Sequence, residues 1–148
     1  MDNLPLFETT SALSIKGVVG FSGTQVGLTE LQVHQITGYL RQLQPREVHH
    51  GDCVGADAQF HALVREILPK ARIIIHPPLV DGKRAFCEGD ETKEARAYLA
   101  RNRDIVRGSE VLLAAPQAPE VLRSGTWATV RFARKRNHPV ILVLPDTS

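Results

Sequence analysis

The chain has 148 residues, 43% of them hydrophobic, which is enough for one domain with its own core and too short for two typical ones. Its 18 basic and 16 acidic residues leave a formal charge of +2, a balance that argues against a dedicated nucleic-acid-binding surface. No membrane-spanning apolar run or export leader is present, and Cys53 and Cys87 form no CxxC pair, so we expect a cytoplasmic protein with reduced thiols.

A polar arm, a strand and a helix are predicted in the first part of the chain. Residues 1–14 are polar and aperiodic, so we expect a loose N-terminal arm and a single domain over residues 15–148. Residues 17–21 are an apolar run that predicts a buried strand. Thr29 then stands at the N-cap position of a helix whose apolar residues recur at helical spacing until Pro45.

Two further strands and a helix are predicted next. Residues 47–50 predict a short strand, and the apolar spacing after them predicts a helix that ends before Pro69. Residues 72–76 contain three consecutive isoleucines and predict a third strand, which Pro77 ends. Residues 79–90 have no periodicity, which indicates an irregular loop of the kind that often covers a ligand.

The last third continues the alternation of helices and strands. Its pattern predicts a helix at 92–106, a strand at 111–115, a helix at 125–136 and a strand at 140–144. The strands are apolar without alternation, which is typical of strands covered on both faces. We therefore expect an α/β fold with a doubly wound, mostly parallel sheet and right-handed crossovers, a Rossmann-like three-layer sandwich.

Three glycine-bearing segments, at 20–24, 51–57 and 124–129, each lie where a strand-like run gives way to a helical one. Glycine lets the backbone approach a phosphate closely, and a helix N-terminus offers unpaired N–H groups. In a doubly wound sheet the ligand lies beyond the carboxyl ends of the strands, so the three segments can form one crevice. The predicted ligand-binding residues are Ser22, Gly23, Thr24, Gly51, Asp52, Gly55, Asp57, Arg101, Asn102, Ser124, Gly125 and Thr126.

Two kinds of role are assigned to these residues. The first and third segments should present N–H groups and hydroxyls to a phosphate, with Arg101 or Arg123 supplying charge. Asp52 and Asp57 could accept from a ribose hydroxyl or act as a general base, the only catalytic roles we assign. None of the segments is a GxGxxG, P-loop or GxSxG motif, which disfavours dinucleotide redox chemistry and nucleoside-triphosphate hydrolysis.

Structural interpretations compete with several of these assignments. Asp52 and Asp57 could cap the helix that begins near Gly55, a role compatible with binding. Cys53 and Trp127 are more typical of packing than of a nucleophile or a base-stacking platform. A solvated helix face accounts for the basic residues near the C-terminus, which are Arg123, Arg131, Arg134, Lys135 and Arg136.

The histidines carry no metal-binding motif. His49, His50 and His76 lie at predicted strand ends, but no HxH or HExxH spacing is present. We therefore predict no metal site and no cofactor besides the bound ligand.

The motifs together resemble the SLOG superfamily, a Rossmann-like group that includes DNA-processing protein A and the cytokinin-activating LOG proteins. The resemblance rests on Gly23-Thr24, the Gly-Asp-x-x-Gly-Ala-Asp segment at 51–57, Arg101-Asn102, the Ser-Gly-Thr-Trp-x-Thr segment at 124–129 and Pro139-Val140. It covers residues 18–144 and looks most similar to the small stand-alone YspA-like branch. It implies a pocket for a nucleotide or nucleotide derivative, used for sensing in some members and for catalysis in others.

The sequence departs from the LOG enzymes at their catalytic motif. Those enzymes cleave the N-glycosidic bond of nucleoside monophosphates and carry Pro-Gly-Gly-x-Gly-Thr-x-x-Glu. Aligning its Gly-Thr with Gly125-Thr126 puts Thr129 at the catalytic Glu position, and Leu122 and Arg123 replace the two glycines. The resemblance therefore does not carry over that activity.

Three functions remain open at this point. The favoured hypothesis is a nucleotide-binding sensor or sequestering module; the alternative is an N-glycosidase in which Asp52 or Asp57 replaces the missing Glu. A DNA-handling role is weaker, because no basic stripe with interleaved aromatic residues is present. A homodimer or higher homo-oligomer is also expected, with two-fold symmetry as the first guess.

Overall fold

A computed structural model describes residues 17–146, so the predicted arm at 1–14 lies outside the described residues. The strands are β1 (Val18–Gly23), β2 (Glu47–His50), β3 (Arg72–Ile75), β4 (Glu91–Thr92), β5 (Val111–Ala115) and β6 (Val140–Leu142). The helices are α1 (Glu30–Leu43), α2 (Ala56–Ile67), α3 (Tyr98–Arg107) and α4 (Gly125–Lys135). None of these helices combines the length and hydrophobicity that a bilayer crossing requires.

The strands form one parallel sheet in the order β4-β3-β2-β1-β5-β6. The chain moves outward from β1 to β4 on one side and then returns to place β5 and β6 on the other side. The order therefore reverses between β1 and β5, and a crevice opens at such a point above the strand ends. The predicted α/β, doubly wound sandwich is confirmed.

The two faces of the sheet are covered by different helix pairs. Ile36 of α1 and Phe60 of α2 pack with Phe21 and Leu113 on one face. Ile105 of α3 and Val130 of α4 pack on the other face, together with Leu112, Ala114 and Val140. Successive residues of β5 thus enter opposite cores, which explains why its sequence is apolar without alternation.

Helix α1 begins at the predicted cap. The Thr29 hydroxyl accepts from the Gln32 backbone N–H at 3.1 Å, and the Gln32 side chain accepts from the Thr29 N–H at 3.0 Å. The buried Gln32 amide nitrogen also donates to the carbonyl oxygens of Pro116 and Val143, at 2.8 and 2.9 Å. One side chain therefore caps α1 and joins it to the ends of β5 and β6.

The helix predicted at 92–106 is wrong at its start. Residues 91–92 instead form β4, which pairs with Ile74 and Ile75, and α3 begins only at Tyr98. Residues 91–92 pair with the open backbone edge of β3, and this pairing keeps them out of the helix. The sixth strand was missed because two charged residues carry no strand pattern.

The irregular segment predicted at 79–90 is tied to the second glycine segment. The Val54 N–H donates to the Lys83 carbonyl at 2.8 Å, and the Ala85 N–H donates to the Asp52 carbonyl at 2.7 Å. No residue of this segment lines the cleft described below. The structure therefore does not place the segment over that cleft, as a ligand-covering loop would be.

Candidate functional site

A cleft of about 560 Å³ opens at the carboxyl ends of β1, β2 and β5, where the strand order reverses. Ten of the twelve predicted ligand-binding residues line it. They are Ser22, Gly23, Thr24, Gly51, Asp57, Arg101, Asn102, Ser124, Gly125 and Thr126. The three glycine-bearing segments therefore converge on one space, as the parallel sheet requires of loops that follow neighbouring strands.

One wall of the cleft is the N-terminus of α4. The Ser124 hydroxyl accepts from the Trp127 N–H at 3.2 Å and so caps the helix. The N–H groups of Gly125 and Thr126, in the first turn, have no acceptor within the helix and carry its positive dipole end. A side chain built on Gly125 would meet no atom within 4 Å, so this helix end faces open space. The exposed cation of Arg123 stands beside it.

The segment that follows β1 is another part of the cleft lining. Its backbone is folded tightly: the Thr24 N–H donates to the Ala115 carbonyl at 3.2 Å, and the Thr24 hydroxyl accepts from the Val26 N–H at 3.1 Å. The Ala56 N–H donates to the Thr24 carbonyl at 2.9 Å, which fixes this segment against the start of α2. Both this segment and the start of α4 line the cleft.

Arg101 lines the cleft and is only 4% exposed. Its Nη1 donates to the carbonyl oxygens of Gly51 and, at 3.1 Å, His76, while Nη2 lies 3.6 Å from the Cys53 sulfur. Its Nε has no hydrogen-bond partner among residues 17–146. A buried donor without an acceptor is costly, and an acceptor group on a bound ligand would satisfy it.

Asp57 lies beside Arg101 in the cleft and is 6% exposed. Its Oδ2 accepts from the Cys53 N–H at 3.1 Å. Burial raises the pKa of Asp57 to about 6, and the nearby positive charge of Arg101 counteracts part of that rise. A carboxyl group with this pKa can hold or release a proton near neutral pH.

The close packing of Arg101 and Asp57 requires glycine at position 51. A Cβ atom at position 51 would collide with the Arg101 guanidinium and lie 3.0 Å from Asp57 Oδ2. Only glycine lets the backbone after β2 lie this close to both charged groups. The sequence analysis expected glycine here to make room for a phosphate, whereas Gly51 makes room for the side chains of Arg101 and Asp57.

Asp52 and Gly55 do not line the cleft. The buried Asp52 carboxylate accepts from Arg84 Nε and from the Cys87 N–H, both at 2.8 Å, and so holds the segment after β3. Gly55 has a φ of +89°, and a side chain there would collide with the Gln25 carbonyl. Both residues support the cleft from behind instead of facing it.

The helix-capping alternative for the two aspartates is wrong. The N-cap of α2 is Gly55, which makes no side-chain cap. The Asp57 carboxylate bonds to the Cys53 N–H and the Asp52 carboxylate to Arg84 and Cys87, so neither side chain closes the helix end.

The histidines have protein partners. His49 bonds to His76 at 2.7 Å and to Glu47 at 2.9 Å. His50 and His61 bond to each other at 2.9 Å, and Cys87 is close enough that the three could in principle surround a metal ion.

The tautomer of His50 argues against such a metal site. Its Nδ1 accepts from the Asp52 N–H at 3.0 Å, so in the neutral ring the proton is on Nε2, the atom facing His61. Burial lowers the pKa of His50 well below its usual range, which keeps the ring neutral. Metal-bound histidines instead donate from the second nitrogen, so this arrangement is typical of a structural hydrogen-bond chain.

Sequence reasoning missed several cleft residues. Tyr98 lines the cleft, and its ring centre lies 5.3 Å from the Arg101 guanidinium carbon. The helix pattern placed Tyr98 in mid-helix, whereas it is the first residue of α3 and lies at the cleft. Trp127 also lines the cleft, and its Nε1 donates to the Ala118 carbonyl at 2.9 Å, which holds the loop after β5 in place.

Thr129, at the position of the LOG catalytic Glu, does not line the cleft. Its hydroxyl donates to the Gly125 carbonyl at 2.8 Å within α4, and the residue is buried. The one catalytic carboxyl position that the resemblance marks thus holds a helix-bonded hydroxyl.

Comparison with solved structures identifies proteins of the same fold. The chain is similar to the molybdenum cofactor binding protein from the phototrophic bacterium Rippkaea orientalis, with a TM-score of 0.67 and 20% identity, over 88% of this chain and 78% of that one. It is also similar to TM1055, a structural-genomics target, with a TM-score of 0.57 and 14% identity, over 81% and 69% of the two chains. No family model and no curated protein matches the sequence.

Proposed function

We propose that the protein is a cytoplasmic member of the SLOG group that binds a nucleotide or nucleotide derivative in this cleft, as a sensor or sequestering module. The observation that carries the proposal is the buried Arg101, which lines a cleft that also contains an open helix N-terminus and whose Nε has no hydrogen-bond partner among residues 17–146. A phosphate at α4 and a polar ring or sugar at Arg101 and Asp57 would satisfy both. Small-molecule sites typically enclose about 300–1,000 Å³, a range that includes this cleft.

The orientation of the ligand follows from the charges. The phosphate would accept from the Gly125 and Thr126 N–H groups and face Arg123. The rest of the molecule would lie against Tyr98 and approach Arg101. The similar fold that binds the molybdenum cofactor supports small-molecule binding in this architecture and makes that cofactor a comparison ligand.

The alternative is an N-glycosidase, and the geometry restricts it to Asp57. Of the two carboxyl groups considered, Asp57 lines the cleft, while Asp52 is held by Arg84 and Cys87 behind it. A buried acid with a pKa raised to about 6 could protonate a leaving base.

We also propose that the protein forms a homo-oligomer.

The proposal is tested by incubating purified protein with AMP, ADP-ribose, NAD, cyclic dinucleotides and the molybdenum cofactor. Thermal unfolding and chromatography of the ligand are read from the same samples. Stabilisation by a nucleotide that is recovered intact supports a sensor, and release of a free base supports the glycosidase. Stabilisation by the molybdenum cofactor alone, or by none of the panel, rejects the nucleotide proposal.

A further inference from the structure

Three arginines surround one aromatic ring on the side of the sheet that α3 and α4 cover. The guanidinium carbons of Arg103 and Arg107 on α3 and of Arg136, the C-cap of α4, lie 5.2, 5.2 and 5.5 Å from the ring centre of Phe132. All three arginines are exposed, while the ring is half-buried and packs against the core on that side. We call these four residues the arginine patch.

The arginine patch belongs to a basic part of an otherwise balanced chain. Residues 121–145 contain five basic residues and no acidic one, so the rest of the chain has more acidic than basic residues. Because α3 packs beside α4, Arg103 and Arg107 join this positive region. The overall charge of +2 gives no sign of such a local excess, and the sequence does not show the cluster because its members come from two helices.

Neighbouring carboxylates do not neutralise the patch. The Asp104 carboxylate bonds through Oδ2 to Arg96 at 2.6 Å, and its Oδ1 lies 3.8 Å from Arg107. Arg103 and Arg136 make no ion pair with any residue that the structure describes. A helix C-terminus favours cations, which accounts for Arg107, but Arg103 lies in the middle of α3. The like charges repel one another, and a bound anion would remove that repulsion.

The chemistry of the patch suits a phosphate backbone. A guanidinium group that lies over an aromatic ring can still present its N–H groups to an anion, and it binds phosphate through two parallel hydrogen bonds. None of the large hydrophobic side chains that residues 17–146 expose lies at 103–107 or 131–136. A protein interface needs an apolar centre and a membrane-binding helix needs an apolar face, whereas nucleic acid can be bound through its phosphates alone.

We propose that the arginine patch binds the phosphate backbone of a nucleic-acid strand without reading its sequence. Each of the three guanidinium groups contacts one phosphate, and the Phe132 ring holds the three groups close together. None of the four residues lines the cleft, so this surface is separate from the proposed nucleotide site and does not depend on it.

Three double variants test the arginine patch. Arg103→Gln/Arg136→Gln removes two of its charges without breaking an ion pair within the described part of the chain. Arg41→Gln/Lys70→Gln is the matched control, because it removes the same charge from exposed sites near the end of α1 and just after α2, on the other side of the sheet. Arg103→Lys/Arg136→Lys keeps the charge and should retain most of the binding. Circular dichroism and thermal unfolding establish that all the variants fold.

Binding is measured by fluorescence anisotropy with labelled single-stranded DNA and RNA, at salt concentrations from about 50 to 200 mM. The unmodified protein and the control should bind both strands, and the logarithm of the binding constant should fall with the logarithm of the salt concentration at a slope of about −2 for three phosphate contacts. The Gln variant should bind at least tenfold more weakly, and its slope should be shallower by about 1.4.

The same assay includes three other polyanions: inorganic polyphosphate, poly-glutamate and vesicles that contain phosphatidylserine. Binding of any of these without binding of nucleic acid overturns the inference. Equal binding by the Gln variant and the control, or a loss that the Lys variant shares in full, overturns it as well. Thermal shifts with the nucleotide panel test the cleft separately, and any shift seen with the unmodified protein should remain in the Gln variant.

Discussion

Arg101 on α3 donates from Nη1 to the carbonyl oxygen of His76 at 3.1 Å, so a single guanidinium joins the helix to the chain just beyond β3. The same nitrogen also bonds to the Gly51 carbonyl just beyond β2, while Nε has no hydrogen-bond partner in the described part of the chain. Arg101 thus joins the loops after β2 and β3 to α3 beside the cleft, and its Nε is the donor that our proposal assigns to a ligand.

Replacing Arg101 by lysine tests both contributions, each with its own measurement. An ammonium group cannot reproduce the geometry of the guanidinium, so at least one buried carbonyl loses its donor, at a cost of about 1–3 kcal/mol. Urea unfolding should show this loss, and any ligand found in the panel should bind at least tenfold more weakly. Arg103→Lys, at an exposed site on the same helix, is the control and should change stability by no more than about 0.5 kcal/mol. Equal stability of the two variants would contradict the structural role of Arg101.

Gly125→Glu tests the anion site at the start of α4. A glutamate at the first turn suits the helix dipole and has open space around it, so the fold should be unchanged or stabilised by about 0.3–1 kcal/mol. Its negative charge would occupy the place of the ligand phosphate, and we expect the thermal shift with a phosphorylated ligand to be lost.

Gly82→Glu is the matched control for that experiment. Gly82 also has no atom within 4 Å of an added Cβ, and it lies outside the cleft lining. Its variant should keep the full ligand response. If Gly125→Glu responds to the ligand as strongly as Gly82→Glu does, the phosphate is not bound at α4.

Asp57 should make stability depend on pH in the acidic range. Its pKa rises from 3.8 in the unfolded chain to about 6 in the folded protein, so the folded state binds the proton more tightly. The contribution of Asp57 to stability is therefore greatest below about pH 4 and is lost as the pH rises to about 6, by about 3 kcal/mol in total.

Asp57→Asn isolates this effect because it keeps the shape and removes the charge. The stability of the unmodified protein minus that of the variant should fall between pH 4 and 6 and stay level above 7, as measured by urea unfolding. The titration of the histidines changes the unfolding free energy of the unmodified protein and of the variant equally, so it cancels in this difference. A difference that does not vary with pH would show that Asp57 has an ordinary pKa.

Gln32→Met tests the connection between α1 and the strand ends. The substitution removes a reciprocal cap and leaves the Pro116 and Val143 carbonyls without the donor they have in the structure. We expect a loss of about 2–4 kcal/mol in unfolding free energy. Gln42→Met, at an exposed position of the same helix, should be neutral within about 0.5 kcal/mol. A loss below 1 kcal/mol at position 32 would contradict this account.

The sequence by itself determined the fold class and most of its elements. Apolar runs without alternation require strands covered on both faces, and Thr29, Pro45 and Pro69 limit two helices through local backbone chemistry. The convergence of the three glycine-bearing segments also followed from the sequence, because loops after neighbouring parallel strands share an edge. These features depend on local preferences or on the fold class alone.

Only the tertiary structure decided which polar groups face the cleft. Asp52 and Asp57 belong to one sequence motif, yet Asp52 turns to Arg84 and the Cys87 N–H while Asp57 turns towards Arg101. Strand β4 likewise forms because β3 offers an open edge, a partner that residues 91–92 meet only after folding. The orientation of a buried charged side chain depends on hydrogen-bond and ion-pair partners that are distant in the sequence. The local sequence pattern contains no information about where those partners lie after folding.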